Sequence, residues 1–310
     1  MKFRRLGRSG LRVSEVGLGC NVFGAMEQKQ AQSVIGAAID AGITLFDTAD
    51  VYGGRGGSET QIGSILGGRR KDIVLASKFA MPMDDEGAKR GASRKWIMQA
   101  VEDSLTRLKT DWLDLYQVHR FDERTPIEET LRALEDLIRQ GKVRYIGCSN
   151  FPAWRIVEAQ WAARAEHLNP FISTQDGYSL LNRRIEADVI PAAEAYGLGV
   201  IPYSPLAGGL LSGKYQRDAA PPEGTRLSRP GMAARVMNER NLDLVDQLKA
   251  WAEARGHTVL ELAIAWLLSR PAVSSVIAGA TRPEQVEANV AASEWVLTEA
   301  ERAEADAIAA

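Results

Sequence analysis

Cysteine and histidine are what this chain has least of: two of the first, Cys20 and Cys148, and three of the second in 310 residues. Two cysteines build no disulfide framework, and neither stands at metal-ligand spacing, so a disulfide scaffold and a zinc site are both poor readings. That usage fits a reducing compartment, the cytoplasm. A charge excess is missing too: 38 Lys and Arg meet 40 Asp and Glu, a net of -2, which draws neither nucleic acid nor an anionic membrane. The longest strongly apolar run, around 262–268, is too short to cross a bilayer. The N-terminal MKFRRLGRSG is basic but leads into no apolar stretch, so no signal peptide is expected. A Ser-His-Asp hydrolase would need a G-x-S-x-G elbow, and none occurs.

Hydrophobic residues make up 45% of the chain, enough for a sizeable core. Short β-type runs recur at 15–20, 43–49, 72–79, 112–119, 143–150, 171–178, 197–206 and 274–280. Between them lie segments with apolar residues at helical spacing, such as 93–108 and 127–140. Eight strands alternating with helices predict an α/β fold, a closed (β/α)₈ TIM barrel, over a single domain of 1–310. FRRLGRSGLRVS at the start reads as a β-hairpin with SG as its turn. One connection is long: 206–236 is rich in Gly, Pro and Arg, a length that usually signals function. Two helical patterns follow it, at 242–255 and 258–269.

GLGCNVFG (17–24) looks briefly like a dinucleotide-binding glycine loop, but its third glycine comes late and no helix opens there. Gly17 and Gly19 read instead as small residues of a barrel strand, with Gly19 and Cys20 at its rim. In such barrels chemistry sits at the C-terminal strand ends. Asp47, Lys78, His119, Asn150, Gln175 and Ser204 all fall there. Neighbouring strands are ~5 Å apart, so Asp47, Tyr52, Lys78 and His119 can meet. Taken singly, Asp47 reads equally as a helix cap or a catalyst, Tyr52 as a loop aromatic and His119 as a structural histidine. A lysine ending an apolar strand is harder to dismiss, because its charge needs a partner. Together the four make a tuned acid: Lys78 lowers the pKa of Tyr52, Asp47 holds Lys78, His119 orients a carbonyl, and Tyr52 gives up a proton.

DTADVYG, the lysine in ASKF, DLYQVH, GKVRYIGCSN, IPYSPLAGGLLSGKY and IAGATRPEQVEAN resemble successive signatures of the aldo-keto reductases across nearly the whole chain. The likeness is strongest to the branch holding bacterial reductases, aflatoxin-aldehyde reductases and potassium-channel β subunits. It implies a carbonyl substrate, a nicotinamide cofactor bound without a Rossmann domain, no metal, and a tetrad of Asp47, Tyr52, Lys78 and His119. It also implies that Ser149, Asn150 and Gln175 hold the nicotinamide carboxamide and that Tyr203 stacks on its ring. Ser204, Pro205, Leu206, Ala207, Gly208 and Lys214 match the pyrophosphate loop, and Arg226 a phosphate contact. Gly279, Thr281, Arg282, Gln285 and Asn289 match the adenosine end. Gly19, Cys20, Asn21 and Asp47 complete the cofactor set. Thr281–Glu284 also spells a T-x-x-E capping box, and Arg282 beside that helix start suggests a 2′-phosphate, hence NADP(H). The substrate is not readable; Asn21, Val22, Phe23, loop 80–90 with Met81 and Met83, Phe121 and the long loop are expected to shape its pocket.

Three departures stand out. Gly177 replaces a usual glutamate, Cys20 a common threonine, and Ala288 a frequent acid. Two other uses fit the same site: a cofactor-sensing binding subunit, and a sugar or steroid dehydrogenase running oxidatively. His119 favours the enzyme, because the channel subunits commonly lack it.

Overall fold

The computed structural model describes residues 1–217 and 219–310, the side chain of Arg235 excepted. A short antiparallel hairpin, β1 (Phe3–Arg5) and β2 (Arg12–Ser14), precedes the barrel. Eight parallel strands follow: β3 (Val16–Gly19), β4 (Leu45–Asp47), β5 (Val74–Phe79), β6 (Leu113–Val118), β7 (Val143–Ser149), β8 (Ser173–Gly177), β9 (Gly199–Tyr203) and β10 (Val276–Gly279). Each lies inside a run expected from the sequence. The order in the sheet is β10-β3-β4-β5-β6-β7-β8-β9. The ring is nearly closed ahead of β10, where the Val200 N–H donates to Ala272 O (2.8 Å) and the Ser274 N–H to Val200 O (2.9 Å).

The strand period of two divides the barrel interior into layers. Leu45, Ala76, Leu115, Ile201 and Ile277 point inward and form an apolar layer with Leu6 and Val13 of the hairpin, which plugs the N-terminal end. Two residues further along each of those strands stand Asp47, Lys78, Gln117, Tyr203 and Gly279. The next inward layer is therefore polar, and it faces the C-terminal mouth. The alternate residues pack outward against the helices in a second, larger core.

The helices begin where side chains satisfy their free N–H groups. Ser93 caps Arg94–Leu108 by accepting from the Trp96 N–H, and Thr258 with Glu261 forms a capping box on Val259–Leu268. The expected box at Thr281 does not form. Pro283 takes the first helical position, so Arg282 is the N-cap and Glu284 falls one residue short of the box's partner position. Gln285 stands there instead and accepts from both the N–H and the hydroxyl of Thr281 (2.7 and 3.1 Å). The hairpin turn also differs from expectation. Six residues, not two, link β1 to β2, because Leu6 turns into the barrel floor and Ser9 closes the loop on Leu6 O (2.7 Å).

The long connection is partly structured. It holds the 3₁₀ turns Ala207–Ser212 and Arg226–Ser228 and the short helix Met232–Val236, with Leu210, Leu211 and Leu227 buried as anchors. The helices expected after it span Glu239–Glu253 and Val259–Leu268. No helix among the described residues is long and apolar enough to cross a membrane.

Candidate active site

Parallel pairing in register brings the strand ends together. Gly19 lies beside Asp47, Asp47 beside Ala76, and Lys78 beside Gln117. Ser149 lies beside Gln175, and Gly177 beside Tyr203. The Lys78 ammonium is completely buried and donates to Asp47 Oδ2 (2.6 Å), Thr48 O (2.9 Å) and Tyr52 Oη (3.4 Å). The other oxygen of Asp47 accepts from Gln175 Nε2 (2.8 Å) and Gln117 Nε2 (3.2 Å). Asp47 is thus an anchor for Lys78, and it caps no helix. The His119 ring stands edge-on to Tyr52, centroids 5.6 Å apart. All four tetrad positions therefore meet at one point of the rim.

Glycines bring Tyr52 there. Gly53 and Gly54 have φ of 67° and 74°, which L side chains rarely adopt, and a Cβ on Gly53 would lie 2.6 Å from Phe23 O. Three other residues that directly follow strands are held at positive φ despite a side chain: Ala80 (93°), Asn150 (56°) and Ser204 (54°). Each costs about 1–3 kcal/mol, and such strain concentrates at functional rims.

The electrostatics follow from burial. Burial alone would lower the Lys78 pKa, but the Asp47 carboxylate, then the Tyr52 phenol, more than offset it, so the pKa is raised above the ordinary lysine value. Tyr52 departs from expectation. Burial raises its pKa more than the Lys78 charge lowers it, so the phenol titrates above its usual range and stays protonated. His119 goes the other way: burial, then the positive charges of Lys78 and Arg120, push its pKa down to about 3. The imidazole is neutral, and its buried Nδ1 has no hydrogen-bond partner.

The remaining candidates spread along the rim. The Ser149 hydroxyl donates to Gln175 O (2.8 Å). Asn150 Nδ2 donates to Ser149 Oγ (2.9 Å) and His119 O (3.2 Å), while its Oδ1 accepts from Tyr203 Oη (2.9 Å). Gln175 spends its Nε2 on Asp47, which leaves its Oε1 uncommitted. Pro205 is buried, and Leu206 and Ala207 lead into a cradle in which Gly208 and Gly209 have φ of 72° and 99°. The Lys214 amine lies 3.3 Å from where a Cβ of Gly209 would stand. Lys214, Arg226 and Arg282 are exposed and enter no ion pair among the described residues. Three uncommitted cations and a glycine cradle fit a ligand carrying phosphates.

Asn21 and Gly279 adjoin, the Asn21 Oδ1 lying 3.5 Å from where a Gly279 Cβ would be. Asn289 is buried in helix Pro283–Ala291. Cys20 offers the site no free group: its thiol is buried against Leu18 O (3.5 Å) and its N–H donates to Asp47 O (2.9 Å). Phe23 is fully buried in the outer core, so it lines no pocket mouth. Gln117 is the residue that sequence reasoning missed. Its signal was present, since it stands two residues after inward-facing Leu115 in the run that also supplies His119.

Comparison with known proteins agrees with this geometry. The profile of the "Aldo/keto reductase family" matches residues 15–310. An "Uncharacterized oxidoreductase YrpG" of Bacillus subtilis (strain 168) is 39% identical over 305 residues, 95% of this chain and 91% of the relative. A "Probable voltage-gated potassium channel subunit beta" of Oryza sativa subsp. japonica is 38% identical over 302 residues, 94% and 91% of the two chains. Its namesake in Arabidopsis thaliana is 37% identical over 300 residues, again 94% and 91%.

The His119 pKa has a measurable sign. A histidine whose folded pKa lies below the unfolded value, about 6.5, adds stability that is present above that pH and lost as the pH falls toward the folded pKa. In ¹H–¹⁵N spectra at pH 5, the His119 imidazole is expected to be neutral. His119→Asn is expected to flatten the loss of stability between pH 6.5 and 5. An imidazolium at pH 5 would contradict the electrostatics described here.

Proposed function

This chain belongs to the aldo/keto reductase family, and from that premise we propose that it reduces aldehydes and ketones to alcohols with NADPH, Tyr52 being the proton donor. The observation that carries the reading is the Lys78 ammonium, wholly buried between Asp47 and the Tyr52 hydroxyl. A merely structural ion pair has no need of a phenol on its far side.

A nicotinamide cofactor, when bound, supplies the hydride that reaches the carbonyl carbon. The chain's own residues do the rest. His119, a neutral imidazole edge-on to Tyr52 at the rim, orients the carbonyl oxygen. Tyr52 passes its phenolic proton to that oxygen as the C=O π bond breaks. The phenolate so formed lies beside Lys78, whose charge stabilises it most when it is most developed, so the contact favours the transition state over the ground state. Solvent then returns a proton to Tyr52.

Ser149, Asn150 and Gln175 would hold the carboxamide of the cofactor and Tyr203 its ring. The Ser204–Gly208 turn with Lys214 and Arg226 would hold the phosphates, Gly279, Thr281, Arg282, Gln285 and Asn289 the adenosine end, and Gly19 and Asn21 would complete the cofactor cleft. A second reading has support in the likeness to two potassium channel β subunits: the same cofactor site would then serve sensing. His119 at the rim favours turnover.

Tyr52→Phe is expected to cut turnover of a good aldehyde by ~10²–10⁴-fold while NADPH affinity stays close to that of the parent. A variant keeping full turnover would rule out Tyr52 as the acid.

Arg282→Ala is expected to weaken NADPH far more than NADH in a fluorescence titration, because an arginine–phosphate contact is charge-assisted. Equal losses would place the 2′-phosphate elsewhere, with Arg226 the next candidate.

A further inference from the structure

Gln117 is fully buried, and the strand register places it between Lys78 of β5 and Gly147 of β7. Its Nε2 donates to Asp47 Oδ1 (3.2 Å), the oxygen that also accepts from Gln175 Nε2 (2.8 Å). Its Oε1 is buried with no partner. Charge fixes the direction of this amide, because a flip would set Oε1 against the carboxylate. A glutamine kept for packing alone would satisfy both ends or give way to leucine, since an unpaired buried acceptor is costly. The neighbouring strand makes room for it: a Cβ on Gly147 would come within 3.3 Å of Gln117 Cγ and crowd Ser173 Oγ.

Gln117 acts through Asp47. A carboxylate turns easily about its last side-chain bond, whose wells are broad and roughly two-fold. Two amide donors on Oδ1, one from β6 and one from β8, oppose that rotation and leave Oδ2 to Lys78 (2.6 Å). Without Gln117, Oδ1 is free to turn toward the ammonium as well. Lys78 is then drawn to Asp47, and the longest of its three contacts, 3.4 Å to Tyr52 Oη, is the first to be lost.

We propose that Gln117 is a positioning residue for the proton donor: by occupying Asp47 Oδ1 it keeps the Lys78 ammonium at the Tyr52 hydroxyl. Buried as it is, it touches no reacting atom. The inference rests on the reading of Tyr52 as the acid. The titratable groups facing Tyr52 are Lys78, Asp47, His119 and Tyr203. Burial raises the Tyr52 pKa most, and the Lys78 charge lowers it by more than Asp47 raises it. Loss of the Lys78 contact therefore moves the titration of the phenol upward.

Gln117→Leu, close in size but without the donor, is expected to lower kcat ~10-fold or more, as loss of a bond to a charged group does. The KM for the aldehyde is expected to change little, and the alkaline limb of the kcat–pH profile to move up. Gln117→Glu separates positioning from packing, and it serves alone if the leucine variant does not fold. Its carboxyl donates to Asp47 only while protonated, and of two carboxylates sharing a site one has a strongly raised pKa. This variant is expected to keep most of the parental kcat at the acid end and to lose it as the pH rises. A packing role would give the same fractional loss at every pH. Tyrosinate absorbance follows Tyr52 without any substrate, as the difference between proteins with and without Tyr52→Phe. It therefore tests Gln117 even if the parent reduces no aldehyde. An unmoved Tyr52 titration in folded Gln117→Leu, or a pH-independent loss in Gln117→Glu, would overturn the proposal.

Discussion

A fully buried ammonium is the constraint on which the rim of this barrel depends. Lys78 has no contact with solvent. An uncompensated charge at such a place costs several kcal/mol, and breaking a buried pair by removing one partner costs about 3–5 kcal/mol. Asp47 must therefore stay in contact with Lys78. Its second oxygen is held by Gln175 and Gln117, so four strands, β4, β5, β6 and β8, are tied through a single carboxylate. Tyr52 completes the set from the glycine-rich turn beyond β4. In the proposed reaction the same pair that fixes the strand ends also sets the electrostatics of the acid. Burial keeps the phenol protonated at rest, and Lys78 acts on the phenolate that forms later.

Much of this was legible in the sequence, for a physical reason. Every strand of a closed parallel barrel is buried on both faces, so most of the eight read as apolar runs, the polar β8 (Ser173–Gly177) excepted. A charged residue at the end of such a run needs a partner, and that requirement singled out Lys78. What escaped depended on three dimensions. Gln117 looks like any polar residue until the inward phase of β6 is known. The Tyr52 pKa required the balance of burial against charge, which spacing alone does not give. Thr281 spells a capping box, yet Pro283 moves the helix start by one position and hands the partner's place to Gln285. Phe23 lies close in sequence to rim residues but turns into the outer core.

The rim also separates two kinds of task. Asp47, Lys78 and Tyr52 are tightly partnered among themselves, and the order around them is fixed. Lys214, Arg226 and Arg282 stand exposed with no carboxylate beside them among the described residues, an arrangement suited to a ligand that brings its own negative charge. Between the two groups, Asn150 links Ser149, Tyr203 and the His119 carbonyl while held at a positive φ. A substitution there would disturb both halves at once. The oxidoreductase reading and the channel-subunit likeness share the cofactor half. Only the first needs the tetrad to act as an acid.

The central claim is that Lys78 and Tyr52 work as one unit. The most direct test is a cycle of single-turnover rates for Lys78→Met, Tyr52→Phe and the double variant, on one aldehyde at saturating NADPH. Residues that act as a unit are strongly non-additive. The account predicts a large loss in each single variant and a double variant little worse than the poorer of the two. If the two losses multiply instead, Lys78 acts independently of the phenol, and the proposed tuning of the proton donor is wrong.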